Sequence, residues 1–84
     1  MTGKYDALER YLSGVPERRV TLSFQRIEDI IGDLLPNNAR EDDLWWANSR
    51  NPGRAQPRAW IDAGWQVERV DLASQSVTFV RAGF

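Results

Sequence analysis

Apolar side chains in the first third of the chain recur with the spacing of a helix and then of a strand. Tyr5, Leu8 and Leu12 fall at i, i+3 and i+7, so they lie along one side of a helix that Gly14 is suited to end. Residues 20–24, Val-Thr-Leu-Ser-Phe, alternate apolar and polar side chains as a half-buried strand does. The pattern therefore predicts a helix followed by a short strand.

A second amphipathic helix is predicted directly after this strand. Ser23 is a good N-cap, and an i, i+3, i+4, i+7 face follows it, made of Ile27, Ile30, Ile31 and Leu34. Pro36 is expected to close the helix, with residues 37–38, Asn-Asn, in a loop. The pattern leaves open whether residues 39–43 add a helical turn. Residues 44–47, Leu-Trp-Trp-Ala, fit either a strand or a buried turn.

A polar loop and a third helix are predicted next. Residues 48–54, Asn-Ser-Arg-Asn-Pro-Gly-Arg, have the composition of a loop. Proline suits the first position of a helix because its missing N–H needs no partner there, so the third helix is predicted to begin near Pro57. Trp60, Ile61 and Ala63 supply its apolar contacts, and Gly64 is suited to stop it.

The remaining residues are typical of a β-hairpin. Residues 65–72 and 76–81 read as two strands, and the apolar positions change phase at Glu68 and Arg69, which predicts a β-bulge. The order helix, strand, helix, helix, hairpin is that of a winged helix, although the link from Leu35 to Gln56 is long. We therefore expect one α+β, winged-helix-like domain, residues 1–84, with its helices in one layer against a small antiparallel sheet.

The composition excludes several kinds of site. The 84 residues contain no cysteine and no histidine, so thiolate or imidazole metal sites and histidine-based catalysis are absent. We expect no enzyme, no metal and no cofactor. No segment approaches the roughly 20 apolar residues of a membrane span, and the first residues do not resemble a signal peptide. A cytoplasmic protein that does not enter a membrane is expected.

Charge points to one segment as a binding site. The chain has a formal net charge of −1, but residues 44–60 carry arginines and no acid. Phosphate contacts are expected from the loop, and Gln56 and Arg58 could reach base edges of duplex DNA. A module of this kind would suit a transcription regulator. The predicted nucleic-acid-binding residues are Trp46, Asn48, Ser49, Arg50, Asn51, Arg54, Gln56 and Arg58.

Other interpretations of the same residues remain open at this stage. The arginines could keep the loop soluble or pair with the acids at 41–43, and Asn48 could cap the loop. Of the adjacent Trp45 and Trp46, either both belong to the core or one lines a surface groove. An exposed tryptophan would also suit a protein-interaction module that binds its partner through the Trp45/Trp46 surface and the edge of the hairpin. The pattern allows a monomer or a homodimer.

Several short motifs resemble a bacterial and phage family of small domains of unknown function. The matching segments are Leu22-Ser23-Phe24, Ile27 to Gly32, Leu35-Pro36, Trp45-Trp46-Ala47-Asn48, Arg58 to Trp65 and Val77 to Arg81. The Trp-Trp-Ala-Asn and Ala-Trp-x-x-Ala-Gly-Trp motifs are the most specific, and the likeness extends over nearly the whole chain from Lys4. The resemblance implies a compact prokaryotic module and brings no activity with it.

Overall fold

The helices and strands follow the order that the apolar pattern predicts, with two additions in the middle. The structure is a computed structural model that describes residues 3–48 and 56–82. The helices are α1 (Asp6–Ser13), α2 (Phe24–Ile31), α3 (Asn37–Glu41) and α4 (Gln56–Ile61), and a 3-10 turn spans Asp43–Trp46. The strands are β1 (Arg19–Ser23), β2 (Trp65–Asp71) and β3 (Ser76–Arg81). The expected α+β class is confirmed. Within the described ranges, no helix has the length and apolar character needed to span a membrane.

The second helix begins where the sequence predicts but ends earlier. The Ser23 hydroxyl accepts a hydrogen bond from the Arg26 backbone N–H at 2.9 Å, so Ser23 is the N-cap. The predicted end at Pro36 is wrong. Helix α2 ends at Ile31, because Gly32 adopts a left-handed conformation with φ 69° that glycine tolerates without strain. Leu34 lies beyond the helix and is 72% exposed, so it does not complete the apolar face.

A short helix and a 3-10 turn follow in place of the predicted loop. Pro36 stands at the N-cap position of α3, so the expectation of a loop at residues 37–38 is wrong. Residues 44–47 do not form a strand. Most of them lie in the 3-10 turn, and both of its tryptophans are buried, so the alternative of a buried turn is confirmed. The Asp42 carboxylate starts this turn by accepting a hydrogen bond from the Leu44 backbone N–H at 2.9 Å. One local side-chain hydrogen bond thereby fixes the start of this turn.

The three strands form one antiparallel sheet in the order β1-β3-β2. Strand β3 is central, with Val20 opposite Phe79 on one side and Val67 opposite Phe79 on the other. The register of β2 shifts between Val67 and Arg69, which confirms the bulge predicted at this point. Val77 and Phe79 face the core, while Thr21 and Thr78 share a hydroxyl–hydroxyl hydrogen bond of 2.9 Å on the outer face. One side of the sheet therefore packs on the helices and the other carries polar side chains.

Large aromatic side chains make up the centre of the core. The rings of Phe24 and Trp46 stack with centroids 5.2 Å apart, Trp46 lies 5.9 Å from Trp60, and Trp60 lies 5.6 Å from Phe79. Trp45 packs edge-on against Trp46 at 4.6 Å. These contacts join α2, the 3-10 turn, α4 and β3 in one cluster. Aromatic rings bury a large area each, which compensates for the small size of the chain.

Candidate nucleic-acid interface

Helix α4 is fixed to the core by one face and presents the other outward. Pro57, Ala59 and Trp60 are buried, whereas the Arg58 side chain is 70% exposed. The helix begins at Gln56, which confirms the predicted start near Pro57. Past its end, Gly64 has φ 85° and donates its backbone N–H to the Ile61 carbonyl. The apolar spacing therefore sets which face of α4 is free, and Arg58 lies on that face.

Arg58 borders a shallow cleft between α4 and the start of α1. The cleft has a volume of about 240 Å³, and Lys4, Glu9 and Asp62 also line it. Arg58 Nε lies 3.8 Å from the Asp62 carboxylate one helical turn later, and both side chains are largely in water. Such a pair is weak, so the guanidinium of Arg58 remains available to another anion. The acids around it nevertheless lower the positive potential at this position.

The Gln56 side chain is partly engaged by the fold. Its Nε2 donates a hydrogen bond of 3.3 Å to the backbone carbonyl of Trp45. This bond ties the first residue of α4 to the 3-10 turn. Gln56 lies next to Arg58 at the start of the helix, as predicted. A base contact by Gln56 would have to use the carboxamide oxygen or replace this bond.

Asn48 has a role in the scaffold. Its Oδ1 accepts hydrogen bonds from the Val67 backbone N–H at 2.8 Å and from Trp60 Nε1 at 3.0 Å, and its Nδ2 donates to the Val67 carbonyl at 3.0 Å. The carboxamide thus pairs with the outer edge of β2 as a neighbouring strand would. Of the two roles considered for Asn48, the structural one is supported, because its carboxamide oxygen and its amide nitrogen both form hydrogen bonds within the fold. A direct DNA contact by Asn48 stays a prediction. In the sequence, Asn48 stands at the start of a polar segment, which predicted a loop and gave no sign of its bonds to β2 and Trp60.

Trp45 and Trp46 are both core residues. Trp46 is 1% exposed, and its Nε1 donates to the Ala39 carbonyl at 2.8 Å. Trp45 is also buried, with its ring edge-on to Tyr5 at 6.0 Å. The prediction that Trp46 contacts nucleic acid is wrong, because no face of the ring is open to a base. The Trp45/Trp46 surface imagined for a protein partner is likewise absent, since a 3-10 turn carries both side chains inward.

Half of the predicted contact residues belong to the segment of the sequence before α4. Ser49, Arg50, Asn51 and Arg54 lie outside the described residues. Asn48 and Gln56 flank this segment, and each is anchored to the scaffold by its side-chain amide. The structure therefore brings the two ends of the arginine-containing segment to the side of the molecule that carries the start of α4.

The turn between β2 and β3, which would form the tip of a wing, is held against the helices. The backbone carbonyl of Gln75 accepts a hydrogen bond from the Phe24 backbone N–H at 2.8 Å. The side-chain Oε1 of Gln75 accepts one from Arg40 Nη1 at 2.9 Å. Asp71 Oδ1 accepts from the Ser74 backbone N–H at 3.1 Å, which lowers the pKa of Asp71. Within the described chain, the tip of this hairpin is a docked turn more than a projecting wing.

A buried ion pair joins α2, α3 and this turn. The Glu28 side chain is 5% exposed, and its Oε2 accepts hydrogen bonds from the Leu35 backbone N–H at 2.8 Å and from the Arg40 guanidinium. The Leu35 N–H, helped by Arg40, holds the pKa of Glu28 below its ordinary range even though burial opposes this. In the sequence Glu28 stands beside Asp29 and outside the predicted apolar face of α2. The prediction missed its inward position, which only the early end of α2 makes possible.

Comparison with known proteins gives one match. A family model described as a domain of unknown function (DUF7662) matches residues 5–83, which confirms the resemblance at that level. No curated protein and no solved structure matches the chain significantly.

Proposed function

The chain belongs to the family described as a domain of unknown function (DUF7662), and we propose that this member is a small, non-catalytic DNA-binding module with a winged-helix-like fold. The observation that carries the proposal is the topology. Strand β1 lies between α1 and α2, a hairpin follows α4, and the sheet order is β1-β3-β2. This arrangement has the parts of a helix-turn-helix with a short wing.

Helix α4 takes the place of the recognition helix in this proposal. It packs on α1 and β2 through its buried face, so its outward face is held rigidly. Helix α3 and the 3-10 turn then form an insertion between the two helices of the helix-turn-helix. They account for the long link seen in the sequence.

Arg58 is the described residue best placed for a base or phosphate contact. A guanidinium can donate two hydrogen bonds to guanine in the major groove, or it can pair with a phosphate. Arg50 and Arg54, from the adjoining segment, are proposed to contact phosphates. The acids near Arg58 and the net charge of −1 favour weak binding, because they oppose the phosphate backbone.

The direct test is duplex DNA binding at several salt concentrations. A mixed-sequence, fluorescein-labelled duplex would be titrated with protein, and binding followed by anisotropy. Contacts from three arginines predict a log–log slope of the association constant against salt of roughly −2 to −4. No binding at low salt would reject the proposal.

Two arginine variants and a matched control separate a specific site from general attraction. We expect Arg58→Ala and Arg54→Ala each to weaken binding by about tenfold, equivalent to one charge-assisted contact of about 1.4 kcal/mol. Arg10→Ala removes the same charge from a different face of α1, where Arg10 lies near the end of α2, and should change affinity little. A phosphate contact weakens all sequences alike, whereas a base contact relaxes the preference at one position. Equal effects of all three variants would leave only non-specific attraction.

A further inference from the structure

The two outer strands of the sheet, β1 and β2, differ in whether their outward-pointing backbone N–H and C=O groups are hydrogen-bonded. Residues that face each other in an antiparallel ladder alternate between pairs that exchange hydrogen bonds and pairs that do not. The residue pairs just beyond each end of the β1–β3 ladder are hydrogen-bonded. Arg81 N–H donates to the Arg18 carbonyl at 2.8 Å, and at the other end Phe24 N–H donates to the Gln75 carbonyl at 2.8 Å. The even-numbered residues of β1 therefore bond to β3. The backbone groups of Arg19 and Thr21 point away from the sheet.

The outer edge of β2 is protected near its middle in two ways. Ala82 N–H donates to the Gly64 carbonyl, so the even-numbered residues at the start of β2 bond to β3. The backbone N–H and C=O of Val67 therefore point away from the sheet. Both of them are paired with the Asn48 carboxamide. The bulge directly after Val67 then breaks the regular edge. Natural sheets protect exposed edges in these ways against pairing with another chain.

The outer edge of β1 has no equivalent protection. Among the described residues, no backbone or side-chain group bonds to the outward N–H and C=O of Arg19 or Thr21. Both residues are exposed, and β1 contains no proline and no bulge. The strand thus offers a regular template for one more antiparallel strand.

We propose that this edge pairs with β1 of a second copy of the chain, with Thr21 opposite Thr21 on a two-fold axis. The sequence of β1 fits itself in this register. Val20 lies opposite Leu22 of the other copy on the core side, and Arg19 lies opposite Ser23 on the outer side. The two Arg19 side chains are then separated by four residues along the strands, about 13 Å, so like charges do not meet.

The outer face supplies a second point of fit. Thr21 already shares a hydroxyl–hydroxyl hydrogen bond with Thr78 in the sheet. Self-pairing places two more threonines beside this pair, so that Thr78, Thr21 and their two counterparts form one row across a six-stranded sheet. Cross-strand threonine pairs stabilise a sheet. The pairing uses only β1 and is independent of the proposed DNA binding.

Sedimentation equilibrium without DNA tests the pairing. We expect the wild-type chain to be a monomer at low concentration and a dimer as the concentration approaches about 1 mM, since a five-residue edge makes few bonds. Amide hydrogen exchange should slow at Arg19 and Thr21 as the concentration rises. Val20 and Leu22, bonded within the monomer, should be protected at every concentration. If the chain is a monomer at every concentration and the Thr21 amide exchanges rapidly, the proposal is overturned. The same result is expected if this edge binds a different protein.

One residue distinguishes this edge from any other dimer surface. Thr21→Pro removes the outward N–H, a loss that an edge strand tolerates, together with the hydroxyl that bonds to Thr78, and should raise the dimer dissociation constant by about tenfold or more. Thr21→Val keeps the N–H and should still dimerise. A Thr21→Pro dimer as tight as the wild type would place the interface elsewhere. If Thr21→Pro does not fold, the concentration dependence of Thr21 exchange in the wild type decides the question.

Discussion

At the scale of single residues, Asn48 shows how one amide can hold several elements together. It occupies both backbone groups of Val67 and the indole N–H of Trp60. An asparagine in a polar segment is usually taken as a turn former or a ligand contact. Its role here depends on β2 lying beside it, nineteen residues later in the chain. No local pattern in the sequence carries that information.

Asn48→Ala is predicted to lower the free energy of unfolding by about 1–3 kcal/mol, because it leaves the Trp60 N–H without its partner and frees the edge of β2. Urea denaturation followed by tryptophan fluorescence measures the loss. Asn38→Ala is the matched control, since Asn38 is exposed on α3 and its side chain makes no hydrogen bond with a described residue. It should change stability by less than about 0.5 kcal/mol. Equal effects of the two changes would contradict the stabilising role of the Asn48 hydrogen bonds.

Glu28 predicts a component of acid sensitivity. Its pKa is lower in the folded chain than in the unfolded chain, chiefly because the Leu35 N–H and Arg40 favour the carboxylate. The resulting stability is present above the ordinary value of 4.5 and is lost as the pH falls through the lower folded value. Glu28→Gln removes the charge, so its stability should decline less than that of the wild type below pH 4.5. Parallel melting temperatures from pH 7 to about pH 3 provide the measurement, and identical pH profiles would refute the prediction.

At the scale of elements, the end of α2 decides the shape of the middle of the chain. Gly32 stops the helix with φ 69°, and the chain then turns so that Leu35 donates to Glu28. The apolar spacing through Leu34 extended the predicted helix because periodicity does not register a left-handed cap. Pro36 was predicted to close the second helix, but it stands at the start of α3. Proline is common both after the end of a helix and at the start of the next, so its presence alone does not distinguish the two positions.

Gly32→Ala is predicted to destabilise the chain by about 1–2 kcal/mol, because an alanine at this φ is strained although no atom crowds its Cβ. Gly14→Ala is the control. Gly14 has φ −96° and ordinary contacts for a Cβ, so alanine there should be neutral or slightly stabilising. Chemical denaturation of both variants measures the difference. A neutral Gly32→Ala would mean that the turn after α2 can relax.

At the scale of the whole molecule, a single aromatic core touches both helices and sheet. Trp46 and Trp60 lie between α2 and β3, and Trp65 Nε1 donates to the Leu12 carbonyl at 3.0 Å, which joins β2 to α1. No part of the described chain has a core of its own. We therefore predict two-state unfolding in which tryptophan fluorescence and far-ultraviolet circular dichroism give the same midpoint. Separate midpoints would show that part of the structure melts before the rest.

The sequence predicts the architecture better than it predicts the site. Helix α1, all three strands, the Ser23 cap and the bulge follow from local spacing and residue type. Placement in the site depends on contacts between distant parts of the chain. These contacts bury Trp46 and commit Asn48 to the scaffold. The Arg58 side chain is exposed, as the helical period of α4 alone predicts, and its contact with DNA stays a prediction.

The stacked rings described in the core also form a set of interacting chromophores. Trp45, Trp46 and Trp60 are within 6 Å of a neighbouring indole, close enough for their electronic transitions to mix and for excitation to pass between them. None of the four tryptophans faces the solvent surface. The optical spectrum of this chain is therefore a property of the cluster. We therefore expect a ligand on the surface of α4 to change the spectrum little, and a loosening of the core to change it more.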